Sequence, residues 1–152
     1  METEMTRMLF VRILACFWLA ASAAALASEQ ATVNNAWARA TAPGQEVGAA
    51  YMDIKSATDA TLTKVESPAA DVVEIHMMSM KNGVMEMRML ETMPLPAGKV
   101  VKLEPSGFHL MLIDLKKPLK AGQDIAFTLH IKDAKGGTRQ MKVTAPIKTG
   151  KD

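Results

Sequence analysis

The sequence predicts an all-β domain, an antiparallel sandwich or barrel, on three observations. Apolar residues recur at a spacing of two in short runs; Gly, Pro, Asn, Asp or Lys turns separate those runs; and no stretch after Ser28 repeats apolar residues at the helical spacing over three turns. The expected strands are Thr32–Ala38, Ala49–Ser56, Ala60–Val65, Val72–Ser79, Val84–Leu90, Val100–Leu103, Phe108–Leu115, Ile125–Ile131 and Arg139–Pro146. Reversals are expected at Thr41-Ala42-Pro43-Gly44, Lys81-Asn82-Gly83, Pro94-Leu95-Pro96-Ala97-Gly98, Pro105-Ser106-Gly107, Lys120-Ala121-Gly122 and Lys135-Gly136-Gly137, which supply the positive or fixed φ that a tight turn needs.

A chain of 152 residues accommodates one such core and leaves little room for a second. The first 27 residues differ from the rest. Arg7 and Arg12 precede an apolar run from Ile13 that closes on Ala25-Leu26-Ala27, the order of a secretory signal peptide cleaved after Ala27. That run is too short for the roughly 20 residues of a membrane-spanning helix, so no stable membrane insertion is expected once it is removed. Ile13-Leu14-Ala15-Cys16 is similar to a lipoprotein cleavage box, but Arg12 directly before it leaves no apolar run ahead of the cysteine, which argues against lipidation. Residues 28–152 are then the mature domain, exported to the periplasm.

Cys16 is the sole cysteine and lies in the segment expected to be removed. The mature domain can therefore build no disulfide, no catalytic thiol and no thiolate metal site. Electron-transfer copper sites need a Cys thiolate beside two His, so that role is excluded. The net charge of +2 is spread along the chain without a basic stripe, which excludes nucleic acid as a partner. No paired carboxylates, H-E-x-x-H, G-x-S-x-G or P-loop occurs, so the chain is not expected to be an enzyme.

Methionine is the compositional anomaly. Seven of the ten methionines after Ser28 lie between Met77 and Met93. Filling irregular gaps in a core is the usual use of this side chain, and clustering argues against it. If Asn82-Gly83 makes a two-residue turn, Met80 faces Met85, Met78 faces Met87 and His76 faces Met89, and all six side chains share one side of the ribbon. A three-residue turn with a bulge would instead send one strand's set to the other side.

A second donor pair comes from Phe108-His109-Leu110-Met111-Leu112, in which His109 and Met111 alternate with aliphatic residues that point to the core. Thioethers are soft donors that select Cu(I), imidazole tolerates it, and neither suits Mg²⁺ or Ca²⁺; Zn²⁺ would prefer thiolate or a third His or carboxylate. His130, in Phe127-Thr128-Leu129-His130-Ile131, alternates with apolar residues and is expected to face solvent.

The chain resembles the periplasmic copper chaperones called PCuAC, whose pattern is a His, a Met after a ten-residue gap, a twenty-one-residue gap and then His-x-Met. His76, Met87, His109 and Met111 fit it at every position, and Asn35-Ala36-Trp37-Ala38-Arg39, Gly48-Ala49-Ala50-Tyr51-Met52 and Gly107-Phe108-His109-Leu110-Met111-Leu112 also resemble family segments. The resemblance covers nearly all of the mature chain. It implies a cupredoxin-like Greek-key fold, one Cu(I) ion held by His76, Met87, His109 and Met111, and delivery of copper to an envelope acceptor, typically the binuclear copper centre of cytochrome c oxidase; separately, a monomer is expected. Some members carry a His- and Met-rich C-terminal tail; this chain ends Lys148 to Asp152 without a His. A copper buffer without a dedicated acceptor, and a structural sandwich whose Met face packs on a partner, are the competing readings. Met78, Met80, Met85 and Met89 could form a soft rim for capture or handover.

Overall fold

The computed structural model describes residues 31–150; the expected signal peptide, Cys16 and the cleavage point after Ala27 lie outside the described residues. The described chain folds into ten strands: β1 Ala31–Arg39, β2 Gly48–Ser56, β3 Ala60–Glu66, β4 Ala70–Lys81, β5 Val84–Leu90, β6 Met93–Leu95, β7 Val100–Leu103, β8 Phe108–Leu115, β9 Asp124–Asp133 and β10 Thr138–Lys148. No helix occurs among the described residues. Nine strands coincide with the runs expected from alternation. The tenth, β6, falls where a turn was expected to begin. Met93 and Leu95 flank Pro94 and are each 1% exposed, and the strand pairs with β3 at Leu62↔Met93, Thr61↔Pro94 and Ala60↔Leu95. Pro94 is tolerated because this short strand ends the sheet, where a missing N–H costs no ladder bond on the outer side.

The strands run in the order β5-β4-β8-β7-β2-β1-β10-β9-β3-β6, and a pairing of Val65 with Val73 joins β3 back to β4. Eight strands thus close a barrel, while β6 extends β3 and β5 extends β4 outside the ring. The sheet is mixed and not purely antiparallel as alternation alone suggests: β1 meets β10 in parallel through Ala38↔Ile147 and Arg39↔Lys148, and β7 meets β8 in parallel at Leu103↔Phe108. Local patterning reports on hairpins, whereas closure of the first strand against the last is a long-range event. A bulge between Asn34 and Trp37, with Asn35 at φ 51, interrupts the β1–β2 ladder, and beyond it Ala38 pairs with Ala50 on one side and Ile147 on the other.

The barrel interior is aliphatic. Leu62, Leu110, Leu112 and Leu129 are fully buried, with Phe127, Met52 and Ile54 at 1% exposure or less. On β9 the alternation is plain: Ile125, Phe127, Leu129 and Ile131 point inward, and Thr128 and His130 outward. Each large side chain taken out of water contributes on the order of 1.5–3 kcal/mol, so this interior is what holds β4 and β8 in place.

β4 is the strand that positions the functional surface. Its residues from Ala70 to Met77 pair with β8, but from Met78 onward it pairs in register only with β5. The β4–β5 hairpin therefore leaves the barrel and stands out as a two-stranded ribbon. Asn82 at φ 52 and Gly83 at φ 80 make the two-residue turn with both central residues left-handed, the geometry that matches strand twist.

Candidate metal centre

Strand parity builds the site. Leu110 and Leu112 are fully buried in the barrel, so His109 and Met111 between and beside them project from its outer face. Across the β4–β8 ladder His76 sits directly opposite His109, and Glu74 directly opposite Met111. Across the β4–β5 ladder the register is Met80↔Met85, Met78↔Met87 and His76↔Met89, as the two-residue turn requires. Three strands thus bring both histidines and a row of thioethers to one face, with the imidazole centroids 5.8 Å apart at an interplanar angle of 49°.

Of the four residues picked out by spacing, three fall in one cluster by pairing and the fourth by a diagonal. His76 and His109 are partners, and Met111 lies two residues along β8 from His109. Met87 is the diagonal neighbour of His76; the residue straight across from His76 is Met89. Diagonal neighbours remain within reach of long side chains. Both Met87 and Met89 are 54% exposed, whereas His109 is 5% exposed. One wall of the cluster is therefore sunk in the protein and the other is open to solvent.

The hydrogen bonds around the two rings assign their nitrogens. His109 Nδ1 lies 3.1 Å from the carbonyl oxygen of Gly107, which can only accept, so Nδ1 carries the proton and Nε2 keeps its lone pair. The same Gly107 oxygen accepts the Met78 backbone N–H at 3.0 Å, which locks the end of β8 to the start of the ribbon. His76 Nε2 lies 2.8 Å from Glu74 Oε2. An ionised carboxylate accepts only, so in the neutral ring Nε2 donates and Nδ1 bears the lone pair. His76 Nδ1 is buried and has no hydrogen-bond partner, the one such side-chain atom among the described residues. An unsatisfied buried acceptor costs about 1–3 kcal/mol, which an electron-pair acceptor bound there would offset.

Sequence reasoning passed over Glu74. The parity of Glu74-Ile75-His76 was the available signal, since residues two apart on a strand share a face. His130 is not brought to this cluster. It sits on the outer face of β9, half-buried, with Nε2 at 2.6 Å from Glu66 Oε2 on β3. Hydrogen bonds from Lys64 first and His130 second hold the Glu66 carboxyl below the usual carboxylate range.

Beside Met111 a shallow cavity of about 160 Å³ is lined by Arg39, Thr41, Gln45, Ala49 and Met111. The Trp37 ring on β1 packs 4.5 Å from that of Tyr51 on β2, and the guanidinium of Arg39, a lining residue, lies 5.7 Å from the Tyr51 centroid. Burial pushes the Tyr51 hydroxyl up from its ordinary pKa, against the opposing pull of Arg39. Chemically the cluster offers two imidazole lone pairs and several thioethers, all neutral. No group of three His, Cys, Asp or Glu that could hold a metal occurs among the described residues, and the thioethers beside the two rings are soft donors.

The sequence model of the family described as "Putative lipoprotein LpqE-like" matches residues 31–147, the whole barrel. The chain belongs to the LpqE-like family. A protein from Leifsonia xyli subsp. xyli, "Putative lipoprotein Lxx21020", is 37% identical to this LpqE-like chain over 119 residues, covering 76% of this chain and 68% of that relative. Among solved structures, the apo PCuAC domain from PmoF1 superposes with a TM-score of 0.62 at 25% identity, over 78% of this chain and 93% of that domain. Cu(I)-bound DR1885 from Deinococcus radiodurans does so with a TM-score of 0.59 at 29% identity, over 84% of each chain. The LpqE-like barrel is therefore the cupredoxin-like fold of PCuAC domains.

Proposed function

We propose that this LpqE-like chain is an exported metallochaperone that binds one Cu(I) ion through His76, Met87, His109 and Met111 and passes it to an acceptor in the cell envelope. The observation that carries the reading is the pairing of His76 with His109, each with one nitrogen committed to an acceptor and the other left with a lone pair, on a face otherwise made of thioethers. The similarity to a Cu(I)-bound domain at 29% identity supports the choice of metal. Four neutral donors leave the single charge of Cu(I) intact, and imidazole with thioether satisfies its preference for soft ligands.

The geometry also suits release. The buried histidine anchors the ion, while the half-exposed Met87 is the donor an incoming ligand can replace first. Transfer is then stepwise ligand exchange with no change of oxidation state. By family resemblance the acceptor is the binuclear copper centre of cytochrome c oxidase. The test is a Cu(I) titration of the protein against a competing chelator, expected to give one tightly bound equivalent that His109→Ala and Met111→Ala each weaken severely. Equal affinity in these variants and the wild type overturns the site. Anaerobic mixing of the loaded protein with an apo oxidase copper domain tests the acceptor; retention of the ion by the chaperone leaves a copper buffer in its place.

Export to the periplasm rests on the Arg-flanked apolar segment ending at Ala27 and on the lipoprotein description of family and relative. That description favours a second processing route, through lipidation of Cys16. The mass of the mature N-terminus separates the routes: an unmodified Ser28 supports signal cleavage after Ala27, and an acylated Cys16 supports a membrane-tethered chaperone.

A further inference from the structure

The methionines of the β4–β5 ribbon do not fill a core. Of the seven between Met77 and Met93, only Met93 is buried, while Met80, Met85, Met87 and Met89 are 66%, 50%, 54% and 54% exposed. Beyond Met78 the ribbon has β5 as its sole ladder partner and water on both sides, so nothing in the packing demands an apolar face there. Its two sides nevertheless differ. One side mixes the polar Lys81, Ser79, Glu86 and Arg88, as an exposed edge hairpin does, with Met77 and the exposed Val84. The other carries thioethers alone, in the rungs Met80↔Met85 and Met78↔Met87, running without a break into His76↔Met89. Methionine is also a weaker strand former than the β-branched residues that such a ribbon would favour.

We infer that Met78, Met80 and Met85 form a second, all-thioether Cu(I) site at the tip of the β4–β5 hairpin, an entry station for the histidine site. This rests on the copper reading above and deepens it. Opposite residues in a ladder have Cβ atoms roughly 4.5–5.5 Å apart, so flexible thioethers from one rung and its neighbour can converge on a single ion. Three neutral sulfurs suit Cu(I) and discriminate against divalent ions, and they bind without losing a proton. Met87, directly across from Met78 and diagonal to His76, is common to both groups and gives the ion a continuous path. Movement along it exchanges one sulfur for another and then sulfur for imidazole, with Cu(I) unchanged and no proton released. The tip is the weaker site because it lacks nitrogen donors and stands in water.

The experiment is an anaerobic Cu(I) titration of the protein carrying ¹³C-methyl methionine, in the wild type and in Met80→Leu/Met85→Leu. Leucine keeps the apolar surface and removes the sulfur, so a merely sticky docking face survives the change. The expected result is a first equivalent that moves the Met87 and Met111 methyl signals, and a second, weaker one that moves those of Met78, Met80 and Met85. In the double variant the second equivalent is lost and the first retained. A second equivalent that persists in the double variant overturns the tip site, as do tip methyls that stay still in the wild type when copper is added beyond the first equivalent. Failure of the wild type to bind any Cu(I) overturns both this inference and the copper reading.

Discussion

Glu74 and the Gly107 carbonyl act on different histidines and on different ring nitrogens, leaving His76 with a free Nδ1 and His109 with a free Nε2. Partners of this kind orient a ligand and typically contribute 10–100-fold to metal affinity. Glu74→Leu is therefore expected to weaken Cu(I) binding by about that factor, and Glu74→Gln to restore most of it, because the amide oxygen accepts the same Nε2–H bond. Competition titration with the three proteins checks this; equal loss in both variants would point to lost charge and not to lost orientation. Met87 and Met89 are equally exposed, and the ladder places Met89 nearer to His76. Family spacing favours Met87, so Met87→Leu is expected to weaken the main site and Met89→Leu to leave it nearly unchanged in the same titration. The histidines and methionines were legible as residue types in the sequence. The nitrogen that each histidine offers was not, because it depends on a carbonyl and a carboxylate whose approach only the folded backbone defines.

At the scale of the element, the same side chain has opposite consequences in neighbouring strands. Met93 on β6 is 1% exposed and packs under β3, so Met93→Ala is expected to cost about 2–5 kcal/mol, read by denaturant unfolding. Met85→Ala on the ribbon is expected to change stability by less than about 0.5 kcal/mol. The turn is a separate lever. Gly83 adopts φ +80 with open space around the position of a Cβ, so Gly83→Ala incurs only backbone strain, about 1–2 kcal/mol. Because the ribbon overhangs the barrel, that strain should appear as faster amide hydrogen exchange from Met78 to Met87 more than as a lower melting temperature. Nine strands were readable from period-two patterning, and Asn82-Gly83 set the hairpin register that the structure shows. β6 was not readable, since three residues around a proline carry no periodicity and become a strand only because β3 offers an edge.

Over the whole molecule, closure is uneven. β9 and β10 share a nine-pair ladder, whereas β3 and β4 meet at the single pair Val65↔Val73. Glu66 and His130 bridge β3 and β9 close to this seam. The Glu66 carboxyl titrates below its unfolded value, so its contribution is present above the unfolded pKa and disappears as pH falls through the folded one. Wild type should therefore melt above Glu66→Gln at neutral pH, and the two curves should converge in acid; the difference is small because the group is solvent-exposed. A gap that widens toward low pH would reverse the assigned sign.

Sequence alone determined the all-β class, the candidate histidines and methionines and the side of each strand on which they stand, because side-chain parity is a local property of the extended chain. It also carried the long spacing that links His76 and Met87 to His109 and Met111. The tertiary structure decided that β1 closes in parallel on β10, that β4 outruns β8 and lifts a methionine ribbon clear of the barrel, and that His76 lies opposite His109. Those outcomes depend on pairing between residues far apart in the chain, where the burial of a shared core, and not local preference, selects the register.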